Sequence, residues 1–90
     1  MYSWDSRKSV ENKKKHGISF EEARDNIFEE KNLLAVGVAY EKGEQRHAVI
    51  GKHEGKYYVG IFTIRNNEIR IISVRRARDE EERQAKSKGI

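Results

Sequence analysis

The chain has 90 residues, and its 19 Lys and Arg against 15 Asp and Glu give a net charge of +4. Charged residues make up 38% of it and hydrophobic residues only 36%, so it can form one small domain with a thin core, over residues 1–90. It contains no cysteine, which excludes disulfides and thiolate metal sites. The longest apolar run, residues 33–40, is too short to cross a bilayer. Charged residues follow the first few positions, a pattern that is not typical of a secretory signal. We therefore expect a soluble cytoplasmic protein without membrane contact.

The modest net charge conceals an uneven distribution. Residues 1–45 hold 8 basic and 9 acidic side chains, whereas residues 46–90 hold 11 basic and 6 acidic ones. The stretch from Arg65 to Arg78 contains five arginines within a strand-like pattern. Because a strand fixes the direction of its side chains, clustered arginines there predict a surface directed at a polyanion.

The first predicted helix begins after Asp5, a residue suited to cap a helix, and runs to His16 before Gly17. Val10 is the only apolar residue inside it, so we expect the helix to pack through Trp4 and lysine stems.

A second helix is predicted from a capping box, with Ser19 at the N-cap and Glu22 three residues later. Its apolar residues recur at helical spacing and predict one buried stripe of Phe20, Ala23, Ile27 and Phe28. Near the end of the chain, Asp79 and Glu82 form another such box, which predicts a short third helix with Asp79–Arg83 and Glu82–Lys86 pairs.

Four strands are predicted between these helices, because short segments rich in Val, Ile and Tyr alternate with turn residues. They are residues 33–40, 46–52, 57–65 and 68–76. The expected fold is α+β, with two N-terminal helices on a mainly antiparallel four-stranded sheet and a short C-terminal helix. The pattern leaves room for a short additional strand at Tyr2–Trp4.

The strand register follows from the turns. Asn66-Asn67 is typical of a type I′ turn, which places Arg65 opposite Glu68 and Tyr58 opposite Arg75. A four-residue loop at 53–56 would then bring Arg46 into one row with Thr63 and Arg70 on an otherwise aliphatic face. The opposite face would carry His47, Tyr58, Ser73 and Arg75 together.

Two strings of residues resemble a known family. Residues 15–23, Lys-His-Gly-Ile-Ser-Phe-Glu-Glu-Ala, and residues 70–77, Arg-Ile-Ile-Ser-Val-Arg-Arg-Ala, are similar in order and separation to those of the BrnT toxins of bacterial type II toxin–antitoxin pairs. The resemblance runs from Trp4 to about Glu82. It implies a fold like that of the RelE-type ribonucleases, toxic cleavage of RNA, and neutralisation by a ribbon-helix-helix antitoxin. Any contact with operator DNA would then be made through the antitoxin.

RNA cleavage needs no metal or other cofactor, because the 2′-OH of RNA can attack the adjacent phosphate once a protein orients it and stabilises the transition state. Arginine suits this task because its planar fork holds two phosphate oxygens. We expect the catalytic residues among Arg75, Arg76, Arg46, Arg70, His16 and Lys15, and RNA contacts from Tyr58, His47, Ser73, Arg78 and Thr63. Since neighbouring side chains on a strand point to opposite faces, only one of Arg75 and Arg76 can enter the centre, and the register favours Arg75.

Structural roles are the alternative for several of these residues. Arg46 and Arg70 could rim the sheet or pair with Glu21 or Glu22, His16 could serve only as a helix cap, and Tyr58 could serve only in packing. The absence of a compact acid–base pair in the sequence also leaves open a non-catalytic protein, either a co-repressor bound to its antitoxin or a small RNA-binding module.

Overall fold

The computed structural model of the protein describes residues 1–29 and 34–90, and it describes the side chains of all of these except 34–38. The elements in chain order are β1 (Tyr2–Ser3), α1 (Ser6–His16), α2 (Phe20–Ala23), a π-helical turn (Arg24–Phe28), β2 (Leu34–Glu41), β3 (Glu44–His53), β4 (Lys56–Arg65), β5 (Glu68–Arg76) and α3 (Asp79–Ser87). The predicted α+β class and both N-terminal helices are confirmed. Leu33, the predicted start of the first long strand, lies outside the described residues.

The described strands form one five-stranded sheet in the order β1-β5-β4-β3-β2. The four long strands are antiparallel to their neighbours, as predicted, but β1 pairs with β5 in parallel, with Tyr2 opposite Ile69 and Ser3 opposite Arg70. The sheet is therefore mixed and has one strand more than the four expected. The additional strand allowed for at Tyr2–Trp4 is present and covers Tyr2–Ser3.

Helix α1 has the predicted ends and an unexpected packing face. The Asp5 carboxylate accepts from the backbone of Arg7 and Lys8, and Gly17 ends the helix with φ +80°. Val10, its only apolar residue, is 56% exposed. The buried side chains of α1 are Ser9 and Asn12 instead, so this helix is held mainly by hydrogen bonds.

Helix α2 and the π-helical turn supply the main apolar layer over the sheet. The capping box of Ser19 and Glu22 is formed in both directions, and all four residues of the predicted stripe are buried. The Phe28 ring lies directly above Gly60 of β4, where an added Cβ would approach its Cζ atom to 2.5 Å. A glycine in the middle of the strand thus makes space for this ring.

Both hairpins begin with the predicted strand pairing. Lys52 pairs with Tyr57 as expected, although the hairpin turn is shorter than the predicted four residues because His53 pairs with Lys56. Asn66 and Asn67 both have positive φ, and the β4–β5 pairing starts as predicted.

A bulge then changes the β4–β5 pairing. Phe62 still faces Ile71, but Ile61 faces Ser73, so every later residue of β5 is shifted by one. Tyr58 therefore pairs with Arg76, and the prediction that Arg75 shares the face of Tyr58 is wrong. Ile71 and Val74 are both fully buried in the core under the helices. Two core residues three apart in a strand require such an extra residue between them.

The sheet has one face covered by α1 and α2, which we call the helix side, and an opposite face, which we call the open side. Helix α3 covers only one end of the open side, where Ala85 packs into a small core with Ile50, Tyr57 and Val59. The cap of α3 lies one residue earlier than predicted, since the Glu81 carboxylate accepts from the Arg78 backbone.

The predicted side-chain pairs of α3 are partly corrected. Arg83 pairs with Glu80 at 2.8 Å rather than with Asp79. The Glu82–Lys86 contact is present at 3.5 Å.

Candidate functional site

The open side contains a cavity of about 480 Å³ beside helix α3. Its floor is made of small and aliphatic residues of β2 to β5, namely Ala39, Ala48, Ile61 and Ile72. Its polar wall consists of Glu41, Arg46, Ser73, Arg75 and Glu81, and His47 lies at its border. The β5 bulge brings Ser73 and Arg75 to this face while Val74 points into the core.

Arg75 is held at the end of the cavity by an acidic residue of α3. Its Nη1 and Nη2 donate to the two carboxylate oxygens of Glu81, both at 2.8 Å, and Nη1 also donates to the Arg76 carbonyl at 3.2 Å. The two side chains are 28% and 20% exposed. The bond from Arg75, together with that from the Arg78 backbone, lowers the pKa of Glu81 to about 2. Glu81 is therefore a carboxylate at neutral pH.

Arg46 is the second arginine of the cavity, and its charge is only weakly compensated. Its side chain is 18% exposed, and the carboxylates of Glu41 and Glu44 lie 3.9 Å from its terminal nitrogens. Glu44 is already bound to Arg65 at 2.6 and 2.8 Å. The buried Nε of Arg46 finds no hydrogen-bond partner among the described residues. A buried donor without a partner favours an incoming anion.

Arg70 and Thr63 are paired on the same face, farther along the strands. Thr63 is buried, and its hydroxyl donates to the Gln45 carbonyl at 2.9 Å. This residue therefore fastens two strands and does not offer a free hydroxyl to a ligand. The ion pairs of Arg46 are with Glu41 and Glu44, so the alternative pairing with Glu21 or Glu22 is not found there.

Several of the predicted site residues lie on the helix side, separated from the cavity by the sheet. Tyr58 is buried there, its hydroxyl donates to the His16 carbonyl at 3.4 Å, and the Arg76 guanidinium lies 5.6 Å from its ring centre. Lys15 belongs to the same last turn of α1 as His16. The expectation of one site containing Arg75, Tyr58 and the end of α1 is thus corrected: the bulge and the sheet divide it in two.

Two further predicted residues lie at the margins. His47 borders the cavity, but its ring stacks on Phe62 with the ring centres 5.1 Å apart, and Phe62 packs on Phe28. The imidazole therefore lies on the helix side. Arg78 is the exposed N-cap residue of α3.

Glu81 was not predicted to belong to the site. In the sequence it is one of four consecutive acidic residues, 79–82, and the capping pattern selects Glu82 instead. Only the path of the chain from β5 into α3 shows which of the four meets Arg75.

Neither a metal site nor a membrane-spanning helix is found in residues 1–29 and 34–90. No group of three or more His, Cys, Asp or Glu there could hold a metal ion. None of the helices in this part of the chain is long and apolar enough to span a bilayer.

Comparison with protein families gives a match over residues 4–81 to the model of the ribonuclease toxin BrnT of type II toxin–antitoxin systems. The chain belongs to the BrnT family. The match includes all strands of the sheet except β1, together with Arg46, Arg75 and Glu81. A search of curated proteins gives no match. Membership places the chain among ribonuclease toxins and implies a cognate antitoxin as its partner.

Proposed function

We propose that this BrnT-family chain is an endoribonuclease that cuts RNA in the cavity of the open side, by attack of the RNA 2′-OH and without a metal ion. The observation that carries the proposal is the meeting of Arg46, Ser73 and Arg75 in one cavity, with the Arg46 Nε lacking a partner among the described residues. The family match to ribonuclease toxins supports RNA as the anion that this cavity receives.

The charges of the cavity suit the transition state of this reaction. Attack of the 2′-OH gives a phosphorane with two negative charges, which positioned cations stabilise more strongly than they stabilise the starting phosphate. Arg46 and Arg75 supply two such cations from neighbouring parts of one wall, and Arg70 extends the positive surface along the RNA. The Ser73 hydroxyl adds a neutral donor at the same place.

The proton-transfer group is not His47, because its ring stacks on Phe62 on the helix side, whereas the neighbouring Arg46 faces the cavity. His16 and Lys15 lie on the helix side, and we therefore assign them no proton transfer in this reaction.

The arginine pair at the end of β5 provides the test, because its members lie on opposite faces of the sheet and the bulge turns Arg75 to the cavity. Arg75→Ala should lower the single-turnover cleavage rate of a labelled single-stranded RNA about 100-fold or more, the usual cost of removing one transition-state donor. Arg76→Ala is the matched control, with a change of less than about threefold expected because a residue outside the site adds only a remote charge. Cleavage should persist in excess EDTA.

Equal losses in the two arginine variants would contradict the assignment of the open side. Undiminished cleavage by an Arg46→Ala/Arg75→Ala variant would reject the cavity as the active site. Loss of cleavage in EDTA, restored by a divalent cation, would reject the metal-independent reaction. His47→Ala and His16→Ala should both retain cleavage in the same assay, because neither ring enters the cavity.

We also propose that the cognate antitoxin is a ribbon-helix-helix protein that forms a hetero-oligomer with this chain in the cytoplasm and makes the DNA contacts of the complex. The thin core of the toxin, in which α1 packs by polar residues and α3 mainly by Ala85, supports stabilisation by such a partner. Co-expression with the product of the adjacent reading frame should relieve growth arrest and yield a stable complex. Arrest that continues at equal expression of both proteins would contradict this pairing.

A non-catalytic role is the second candidate, and one observation favours it. The fork of Arg75 is already occupied by Glu81, so the site as it stands is closed to a phosphate at this position. A binding module of this kind would bind RNA with an affinity that falls steeply with salt and would cut no strand.

A further inference from the structure

Helix α3 blocks part of the cavity with its own carboxylate. Glu81 meets the Arg75 guanidinium through two parallel bonds of 2.8 Å, the same two-pronged arrangement in which arginine binds a phosphate. We propose that Glu81 is an internal competitor for the phosphate-binding fork of Arg75, and that RNA engages this arginine only after α3 releases it. This inference rests on the proposed function, since it concerns the regulation of the same cavity.

The attachment of α3 to the rest of the domain is small enough for such release. Ala85 is the only buried residue of the helix. Beyond the helix, Tyr57 donates its hydroxyl to the Ile90 carbonyl, and Ile90 packs at the margin of the small core. Segments with few buried apolar contacts open at low free-energy cost.

The geometry also separates the two roles of Glu81. One carboxylate oxygen accepts from the Arg78 backbone at 2.8 Å and so fixes the start of α3, while both oxygens bind Arg75. Glu81→Gln keeps a side-chain oxygen for the cap and removes the charge that competes with phosphate. Glu80→Gln is the matched control, because it removes the same charge from an exposed Glu80–Arg83 pair in the same helix.

The test measures binding and cleavage separately. The full-length chain and its variants are titrated against a single-stranded oligonucleotide with 2′-O-methyl groups, which cannot undergo 2′-OH attack, and against the same sequence as unmodified RNA. Glu81→Gln should bind the methylated oligonucleotide about two- to fivefold more tightly than the wild type, as expected for removal of a partly exposed ion pair. Glu80→Gln should change binding by less than about twofold, since it shifts only the remote charge.

A second background shows whether the effect passes through Arg75. In an Arg75→Ala chain, adding Glu81→Gln should increase the affinity for the methylated oligonucleotide no more than adding Glu80→Gln does. A gain that persists in this background, or no difference between the two glutamine variants in the wild-type background, overturns the inference. Slower cleavage by Glu81→Gln without tighter binding also overturns it, because Glu81 would then position Arg75 for catalysis.

The outcomes for the proposed function are distinct. Tighter binding by Glu81→Gln through Arg75, with no cleavage of unmodified RNA by any variant, supports the competition and rejects the nuclease. Cleavage that is lost in Arg75→Ala but equal in the two glutamine variants supports the nuclease and rejects the competition.

The wild-type chain gives a check that does not depend on how a variant folds. In its NMR spectrum, the methylated oligonucleotide should shift the guanidinium signal of Arg75 and the backbone amides of Arg78 and Glu81 together. A shift at Arg75 with both amides unchanged contradicts release by α3.

Discussion

Asn12 connects helix α1 to the strand that carries the cavity residues, and its replacement by alanine gives a sharp test of how this helix is held. The side chain is 7% exposed. Its Nδ2 donates to the Ile18 carbonyl at 2.9 Å, and its Oδ1 accepts from the Val74 backbone at 3.3 Å. Asn12→Ala leaves both backbone groups buried without these partners.

The expected cost follows from those two groups. A buried polar group without a partner costs about 1–3 kcal/mol, and the longer bond to Val74 places the sum at about 2–4 kcal/mol. A domain of this size has about 5–13 kcal/mol of stability in total. The midpoint of thermal unfolding should therefore fall by roughly 10–25 °C.

Urea and thermal unfolding followed by circular dichroism measure the effect. Asn26→Ala is the matched control, because Asn26 is exposed and its Nδ2 donates to the Glu22 carbonyl within the helical turn, also at 2.9 Å. We expect the control to change stability by no more than about 0.5 kcal/mol. A loss in Asn12→Ala no larger than in Asn26→Ala would refute the view that α1 is fastened by this side chain.

Two further predictions concern packing and pH. Gly60→Ala should lower the free energy of unfolding in urea by about 1–3 kcal/mol, because the new methyl group meets the buried Phe28 ring. Part of the lost stability should be regained in a chain that also carries Phe28→Leu. A Gly60→Ala variant as stable as the wild type would contradict the close contact. The bond from Lys13 and that from the Ser19 backbone hold the pKa of Glu22 at about 2 against its ordinary 4.5. A carboxylate whose pKa is lower in the folded chain than in the unfolded chain stabilises the fold at pH values above its ordinary pKa. This contribution is lost as the pH falls towards the folded-state pKa. Wild type should therefore lose stability between pH 5 and 2 more steeply than Glu22→Gln, with pH-dependent urea midpoints as the measurement; parallel curves would contradict the shift.

The ends of the helices and the turn at Asn66-Asn67 could be predicted because their causes are local. Asp5, Ser19 and Gly17 act on backbone groups within four residues of themselves, so the same sequence gives the same cap wherever the helix is placed.

The packing of α1 could not be predicted in this way. Its buried face is polar, and Asn12 finds its partners six and 62 residues away in the chain. Val10, the only apolar residue of the helix, is exposed, and the expected packing through Trp4 and lysine stems names neither Ser9 nor Asn12.

The site shows the same division. The sequence determined that arginines and a serine lie near the end of the last strand, and that the neighbours Arg75 and Arg76 point to opposite faces. Only the tertiary structure decided which of the two arginines enters the cavity. Burial of both Ile71 and Val74 under the helices requires the bulge, and the bulge exchanges the faces of Arg75 and Arg76. The tertiary structure likewise decided that Glu81, rather than another of four adjacent acidic residues, meets Arg75, since that contact depends on how α3 leaves the sheet. Local hydrogen bonds depend on the sequence of a few neighbouring residues, whereas strand faces and contacts between elements depend on which apolar side chains the whole domain buries.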